Sequence, residues 1–305
     1  MSQNLTTTSS SLSSDVETAT AVCSKPWDVL IFIIHTISLL VNIFHVAVLS
    51  RLESLRGKKY RWILINLSLA DMSYVISMGS LYLCYDVNMF TFLAGEPILR
   101  IPWRIPILHS TYISYFIFLV ASVEQYLAIC KPYSYQSSFI IRKLSVVLAM
   151  AWLFVFLAST SFTIVGTFST APWVAGWQFR VLDIVTLAVI PNSITITLLT
   201  KVGGELKRMK NQSASVTDNG EEKKAAVYLI IIVTMEMIVF LLNIICIIIV
   251  YTTGIVTICK IWNFSIKAPH TIANTVIYGW RTKAIHQHIR KMFGCKPSHI
   301  VNPER

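Results

Sequence analysis

Charge is scarce in this sequence, and negative charge scarcest: Asp, Glu, Lys and Arg make up 13% of 305 residues, and only 15 of those residues are acids. An average soluble domain carries about a quarter charged residues. The 54% of residues that are hydrophobic therefore exceed what a soluble core could bury beneath so thin a charged surface. Organised cysteine is missing too. Cys23, Cys84, Cys130, Cys246, Cys259 and Cys295 are scattered, with no CxxC and no metal-like spacing, which argues against a disulfide framework or a zinc site. No nucleophile-base pair, phosphate loop, HExxH or metal cluster is visible, so the chain does not read as an enzyme. Residues 1 to 24 are rich in Ser and Thr and lack an apolar stretch or an early basic cluster. That is not the pattern of a cleaved signal peptide, and the first apolar segment is expected to serve as its own insertion signal.

What is present is long apolar runs. A helix needs about 20 mostly apolar residues to cross the hydrocarbon core, and seven stretches qualify: 27–49, 61–84, 104–129, 144–166, 179–200, 225–251 and 258–280. The third is least certain at its start, because Pro102 and Pro106 are tolerated near a helix start but kink an interior. The net charge of +11 sits in short clusters between these runs rather than on one face, which points to anionic lipid and a cytosolic partner, not nucleic acid. Cytoplasmic loops collect Lys and Arg. With the N-terminus outside, twenty of the 26 basic residues fall on the inner side, five fall outside, and Lys267 lies within a helix.

The expected fold is thus an all-α integral membrane bundle of seven helices in a plasma membrane. An extracellular tail spans residues 1–26, the helical domain 27–280, and a cytoplasmic helix and tail 281–305. In the last of these, Ile285, Ile289 and Phe293 recur every four residues among basic side chains, the pattern of a helix lying on an anionic membrane surface. Cys295 just beyond it is a palmitoylation candidate, the alternative being an unmodified thiol. Asn4, in Asn4-Leu5-Thr6, is either a glycosylation acceptor or a chance sequon.

Ionisable groups inside membrane helices are costly and tend to mark function, and here they fall in a recognisable order. The first segment has Asn42 in LLVNIFHVAVL and the second NLSLAD, ending in Asp71; the third ends EQYLAICKPYSY; then come Trp152, Pro191 and NTVIY, from Asn274 to Tyr278. From about residue 27 to about residue 295 this series resembles the rhodopsin-like (class A) G-protein-coupled receptors. NLSLAD and YLAICKPYSY carry most of the match. The resemblance implies that Asn42, Asp71, Ser114 and Asn274 surround a buried water and sodium-ion pocket. A lone aspartate in hydrocarbon needs such partners or a proton. The cluster reads either as a hydrated pocket that matters for switching or as a purely structural one.

Departures from the family pattern are as informative. Where the family has Asp-Arg-Tyr, this chain has Glu124-Gln125-Tyr126, so the arginine that meets the G protein is an uncharged amide. After Phe240 the sixth segment reads LLNIICIII, with neither the tryptophan nor the kinking proline, and such a helix can run straight. Thr275 replaces a proline and Leu199 a tyrosine, whereas Tyr278 is kept. Arg100 occupies the place of the usual disulfide cysteine, and the loop TFSTAPWVAGWQ has none. Because the first, second and seventh helices are neighbours in the family, the resemblance suggests a replacement bond, Cys23 to Cys259 first and Cys23 to Cys84 second.

Ile107 stands where aminergic receptors carry their ligand-pairing aspartate, which argues against an amine. The same carry-over offers Thr111, Asp183, Ile247, Ile248 and Phe264 as lining residues, although ordinary packing accounts better for any one aliphatic member. A lipid-like or peptide ligand fits this lining. Lys267 lies about 14 Å inside the membrane at 1.5 Å per residue, too deep to snorkel easily. Opsins hold their retinal-linking lysine one residue nearer the asparagine of the seventh helix, and one position turns a side chain by about 100°. Retinal is therefore disfavoured against an acidic ligand group or an internal carboxylate, with Glu236 the first partner by depth. His35, His45, His109 and His270 read as isolated packing residues, and His270 adjoins the Asp71 and Asn274 layer. The resemblance implies a ligand-operated receptor acting on heterotrimeric G proteins. A G-protein-silent scaffold and a transporter are the alternatives, the latter disfavoured because no internal repeat or paired broken helices are visible.

Overall fold

The computed structural model describes residues 7–52, 59–86, 97–168, 181–212, 220–253, 267, 269–277 and 285. Regular structure among them is helical throughout. The first helix is Thr7–Arg51, the second Lys59–Asp86, the third Pro97–Cys130 and the fourth Leu144–Phe168. Two short helices, Pro132–Tyr135 and Phe139–Arg142, fill the loop between the third and fourth. The fifth helix begins at 181, passes through a widened π turn at Val185–Val189 and continues as Ile190–Gln212; the sixth is Gly220–Thr253. Of the seventh expected segment, residues 269–277 are described, and they are helical.

Six of these helices are long and apolar enough to cross a membrane, over Val29–Arg51, Lys59–Ser80, Ile105–Cys130, Leu144–Phe168, Val181–Met209 and Val227–Cys246. They coincide with the first six expected segments to within a turn or two. The first helix differs most, since it reaches back through the Ser- and Thr-rich stretch to Thr7. Once a span is nucleated each further residue adds a hydrogen bond; no glycine lies between Thr7 and Arg51, and the helix continues through Pro26, which contributes no N–H of its own. Pro102 and Pro106 lie inside the third helix, ahead of or at the start of its apolar span. In the fifth helix Pro191 has no N–H to donate and its ring crowds the preceding turn. The chain widens just before it, with the Ile190 N–H donating to the Val185 carbonyl five residues back.

The third helix is the axis of the bundle. It packs against the second, fourth, fifth and sixth helices, while the first packs on the second and the sixth on the fifth. In the apolar window of the third helix 56% of residues are buried, against 22% in the fourth, which sets the fourth at the periphery. Ile113, Tyr115, Ile117 and Phe118 are fully enclosed. The ring of Tyr115 meets Phe240 of the sixth helix edge-on, with centroids 5.6 Å apart. Outward, Leu40, Leu153, Phe154, Leu157, Ile238 and Leu241 are each more than half exposed. Apolar side chains displayed at this density belong against lipid rather than water. Ile285, expected on a membrane-surface helix, is instead buried in the main core cluster; Ile289, Phe293 and Cys295 lie outside the described residues.

This arrangement predicts a contrast between two substitutions. Ile117→Ala should lower the thermal stability of the protein in nanodiscs by about 2 kcal/mol, because the surrounding helices cannot close the cavity. Leu153→Ala, on the lipid side, should leave the melting midpoint nearly unchanged.

Candidate functional site

Inside the bundle the seventh helix presents two polar faces. Thr271 and Thr275, four residues apart, face the first helix. The Thr271 hydroxyl is hydrogen-bonded to that of Ser38. Thr275 donates to Asn42 Oδ1 at 2.9 Å, and Asn42 in turn donates its amide to the Ser38 carbonyl at 2.9 Å. All four residues are buried. The threonine that replaces the family's proline therefore supplies an interhelical hydroxyl.

The second face carries Lys267, His270 and Asn274, spaced to lie above one another along a helix. The Asn274 side chain hydrogen-bonds to Asp71 of the second helix and stands 3.5 Å from His270 Nδ1. His270 Nε2 lies 3.1 Å from Glu236 Oε2 on the sixth helix, within ion-pair distance but off the line of a hydrogen bond. Lys267 Nζ sits 4.5 Å from the centroid of the Tyr74 ring, a cation–π distance, and has no hydrogen-bond partner among the described residues. It is nonetheless within electrostatic reach of both Glu236 and Asp71. Asp71, Glu236, Lys267, His270 and Asn274 are all nine-tenths or more buried.

The expected pairing of Lys267 with Glu236 thus takes a different form. Glu236 meets His270 directly, one turn toward the C-terminus from Lys267, and Lys267 acts on Glu236 through space. His270, which reads as isolated in the sequence, is the central member of the cluster. Its position three residues after Lys267, on the same helical face, was the available signal. Tyr74, one turn beyond Asp71, carried no signal beyond that spacing. Ser114 is buried, and its hydroxyl donates to the Ser110 carbonyl at 3.1 Å.

The other described histidines behave as packing residues. His35 Nδ1 lies 2.9 Å from the Ile31 carbonyl, and His45 Nδ1 lies 2.8 Å from Ser68 Oγ. His109 rests against Trp152 and Phe156. Trp152 also donates its indole N–H to Asn66 Oδ1 at 2.9 Å, tying the fourth helix to the second.

At the C-terminal end of the third helix Glu124 receives two charge-assisted hydrogen bonds. Gln125 Nε2 donates at 2.6 Å, and the Tyr135 hydroxyl, from the loop helix, donates at 2.8 Å. Glu124 and Gln125 are buried and Tyr126 is half-buried. An amide and a phenol thus stand beside the carboxylate where an arginine is expected.

Of the ligand-pocket candidates, Asp183 is buried and accepts the Tyr112 hydroxyl at 2.8 Å. Thr111 donates to the Ile107 carbonyl, and Ile107 packs against the cluster of Ile31, Tyr74, Val75 and Met78. Ile248 is exposed on the sixth helix. The side chains of Ile247, Cys23 and Cys84, and the residues Asn4, Cys259, Phe264 and Tyr278, lie outside what is described.

These features coincide with a known architecture. The family model for 7 transmembrane receptors (rhodopsin family) matches residues 41–279. That is well over half of the chain, which therefore belongs to the rhodopsin family of seven-transmembrane receptors. It is accordingly a multi-pass membrane protein whose fold is a seven-helix bundle. A search of curated proteins gave no match.

Removing the Thr275 hydroxyl should strand Asn42 Oδ1 inside the bundle. Interhelical hydrogen bonds in membranes contribute roughly 0.6 kcal/mol on average and up to about 1.7. Thr275→Val should therefore lower the melting midpoint by a degree or two, whereas Thr275→Ser should preserve it. Equal loss in both variants would mean that the methyl group matters and the hydroxyl does not.

Proposed function

We propose that this chain is a cell-surface receptor with its N-terminus outside and its basic tail in the cytosol. An extracellular or membrane-dissolved ligand shifts the helix bundle, and the inner loops then act on a heterotrimeric G protein. The observation that carries this reading is the buried polar face of the seventh helix, which links the first, second and sixth helices at the centre of a membrane bundle. Groups this costly to bury are retained where helices must hold one arrangement and be able to adopt another. Topology follows from the excess of Lys and Arg in the inner loops.

The ligand in this reading is not an amine. Ile107 is aliphatic, and the buried carboxylate nearest the outer end of the fifth helix, Asp183, already accepts a hydrogen bond from Tyr112. A lipid-like or peptide molecule is the better match to a lining that includes Ile107 and Thr111. Asn4 and Cys295 serve in the same scheme as glycan and palmitoyl acceptors on opposite sides of the membrane.

One observation favours a second reading. Gln125 spends its amide on Glu124 and offers a G protein no cation, which suits a heptahelical scaffold silent toward G proteins.

Nucleotide exchange separates the two. Reconstituted in nanodiscs with a panel of heterotrimeric G proteins, the native chain should accelerate exchange several-fold over empty discs on at least one of them. Exchange by Gln125→Arg but not by the native chain would assign the protein to the silent class.

A further inference from the structure

Four helix ends meet on one side of the bundle, where the first and third helices finish and the second and fourth begin. Each packs against the next, and the second also packs against the fourth. Basic residues gather on this rim. Over 51–61 and 131–145 the sequence has eight Lys and Arg against one acid, Glu53. The link between the fifth and sixth helices on the same side, 201–224, has six against four acids. The positive-inside rule accounts for basic residues in every such segment. It does not account for a separation that leaves the rim of the first four helices nearly free of acid. Arg51, Lys131, Arg142 and Lys143 are exposed, Lys59 and Arg61 are half-buried, and none of the six is ion-paired to an acid among the described residues.

The same rim displays aromatic rings. Trp62, 48% exposed, stands at the start of the apolar span Lys59–Ser80. Tyr133 and Phe139, on the two short loop helices, are 99% and 68% exposed, and Phe139 lies five residues ahead of the fourth span. Rings of this kind among basic side chains settle at the level of lipid headgroups. Arg61 is the most constrained of the cations. Its Nη2 donates at 3.0 Å to the carbonyl of Ser50, in the last turn of the first helix, where carbonyls lack intrahelical partners. Its Cζ lies 6.0 Å from the centroid of the Trp62 ring. A guanidinium tied in this way beside a tryptophan at the edge of the apolar span stands at headgroup depth. There the anion within reach is a lipid phosphate rather than a protein in the cytosol.

We propose that this rim is a docking surface for anionic phospholipid, taking headgroup phosphates at Arg61 and the neighbouring cations while Trp62 and Phe139 set its depth in the membrane. The planar fork of an arginine suits a phosphate, and clustered Lys and Arg beside a span attract anionic lipid. Lipid held there stabilises the folded bundle, because it binds the assembled rim and not separated helices. The proposal takes from the topology above only the leaflet concerned, the cytosolic one, where anionic lipids concentrate.

The experiment reads the melting midpoint of the full chain in nanodiscs of phosphatidylcholine alone and of phosphatidylcholine with a minor fraction of phosphatidylserine. The native midpoint should rise by about 3 °C in the mixed discs at low salt, and the rise should shrink as added salt screens it. Arg61→Gln with Arg142→Gln should remove most of the rise. Lys201→Gln with Lys207→Gln, which takes the same charge from the fifth helix, should keep it. Each variant is compared with itself in the two lipids, so a general loss of stability cancels. Should the Arg61 variant fail to fold, Arg142→Gln with Lys143→Gln, at two exposed positions, reads the same difference. No rise in the native chain, or equal losses in the rim and fifth-helix pairs, would overturn the proposal. So would an equal rise from inorganic phosphate added to phosphatidylcholine discs, since the surface would then take a soluble anion. The discs carry the same lipid in both leaflets and no G protein, so the result is independent of orientation and of coupling.

Discussion

Hydrocarbon offers a buried charge no water, so each ionisable side chain within the bundle must be met by another part of the protein. That constraint fixes the seventh helix. Thr271 and Thr275 turn toward Ser38 and Asn42 of the first helix, and Thr275 also reaches the Thr271 carbonyl at 3.2 Å. Lys267, His270 and Asn274 lie about 100° away around the same helix and must find Asp71, Tyr74 and Glu236. A rotation of one residue would strand both faces. The placement of the first, second and sixth helices around the seventh is thus set by polar satisfaction, whereas apolar packing around the third helix sets the remaining contacts.

The C-terminal end of the third helix solves a similar problem with other groups. Glu124 is buried, and without an arginine next to it the carboxylate would be a costly orphan. Gln125 supplies a short hydrogen bond from the same helix, and Tyr135 supplies another from the loop that follows. Because Tyr135 belongs to the short helix Pro132–Tyr135, this bond also anchors the loop between the third and fourth helices. The substitution that removes a cation from the surface therefore leaves the local fold intact, which separates the structural task of this motif from any signalling one.

Much of this was legible from sequence because the membrane imposes long, one-dimensional signals. Six spans agree with the apolar runs that predict them, and Asp71, Asn42 and Asn274 are buried where their isolation among apolar residues implies. What could not be read were partners across helices. Counting residues from the cytosolic ends fixes depth only to about a turn, and one turn is the difference between Lys267 and His270 as the neighbour of Glu236. Tyr74 escaped notice because an aromatic residue in a membrane helix carries no polarity signal. The helical start at Thr7 was not legible, since a Ser- and Thr-rich stretch carries no helix signal and Pro26 stands between it and the apolar span.

The departures from the family pattern fit one another. The sixth helix has no internal proline; the seventh has Thr275 where the family has one, and its own proline lies earlier, at Pro269. Their relative position rests on side-chain contacts of unequal strength. The contacts of the seventh helix with the first are hydrogen bonds between hydroxyls and an amide. Its contact with the sixth is the off-line approach of His270 to Glu236, supplemented by the through-space pull of Lys267. An attraction of the second kind depends on charge rather than on alignment, and it tolerates sliding between helices that a hydrogen bond does not. Among the described residues, the sixth and seventh helices are therefore joined by that approach and pull, whereas the seventh is tied to the first by aligned hydrogen bonds.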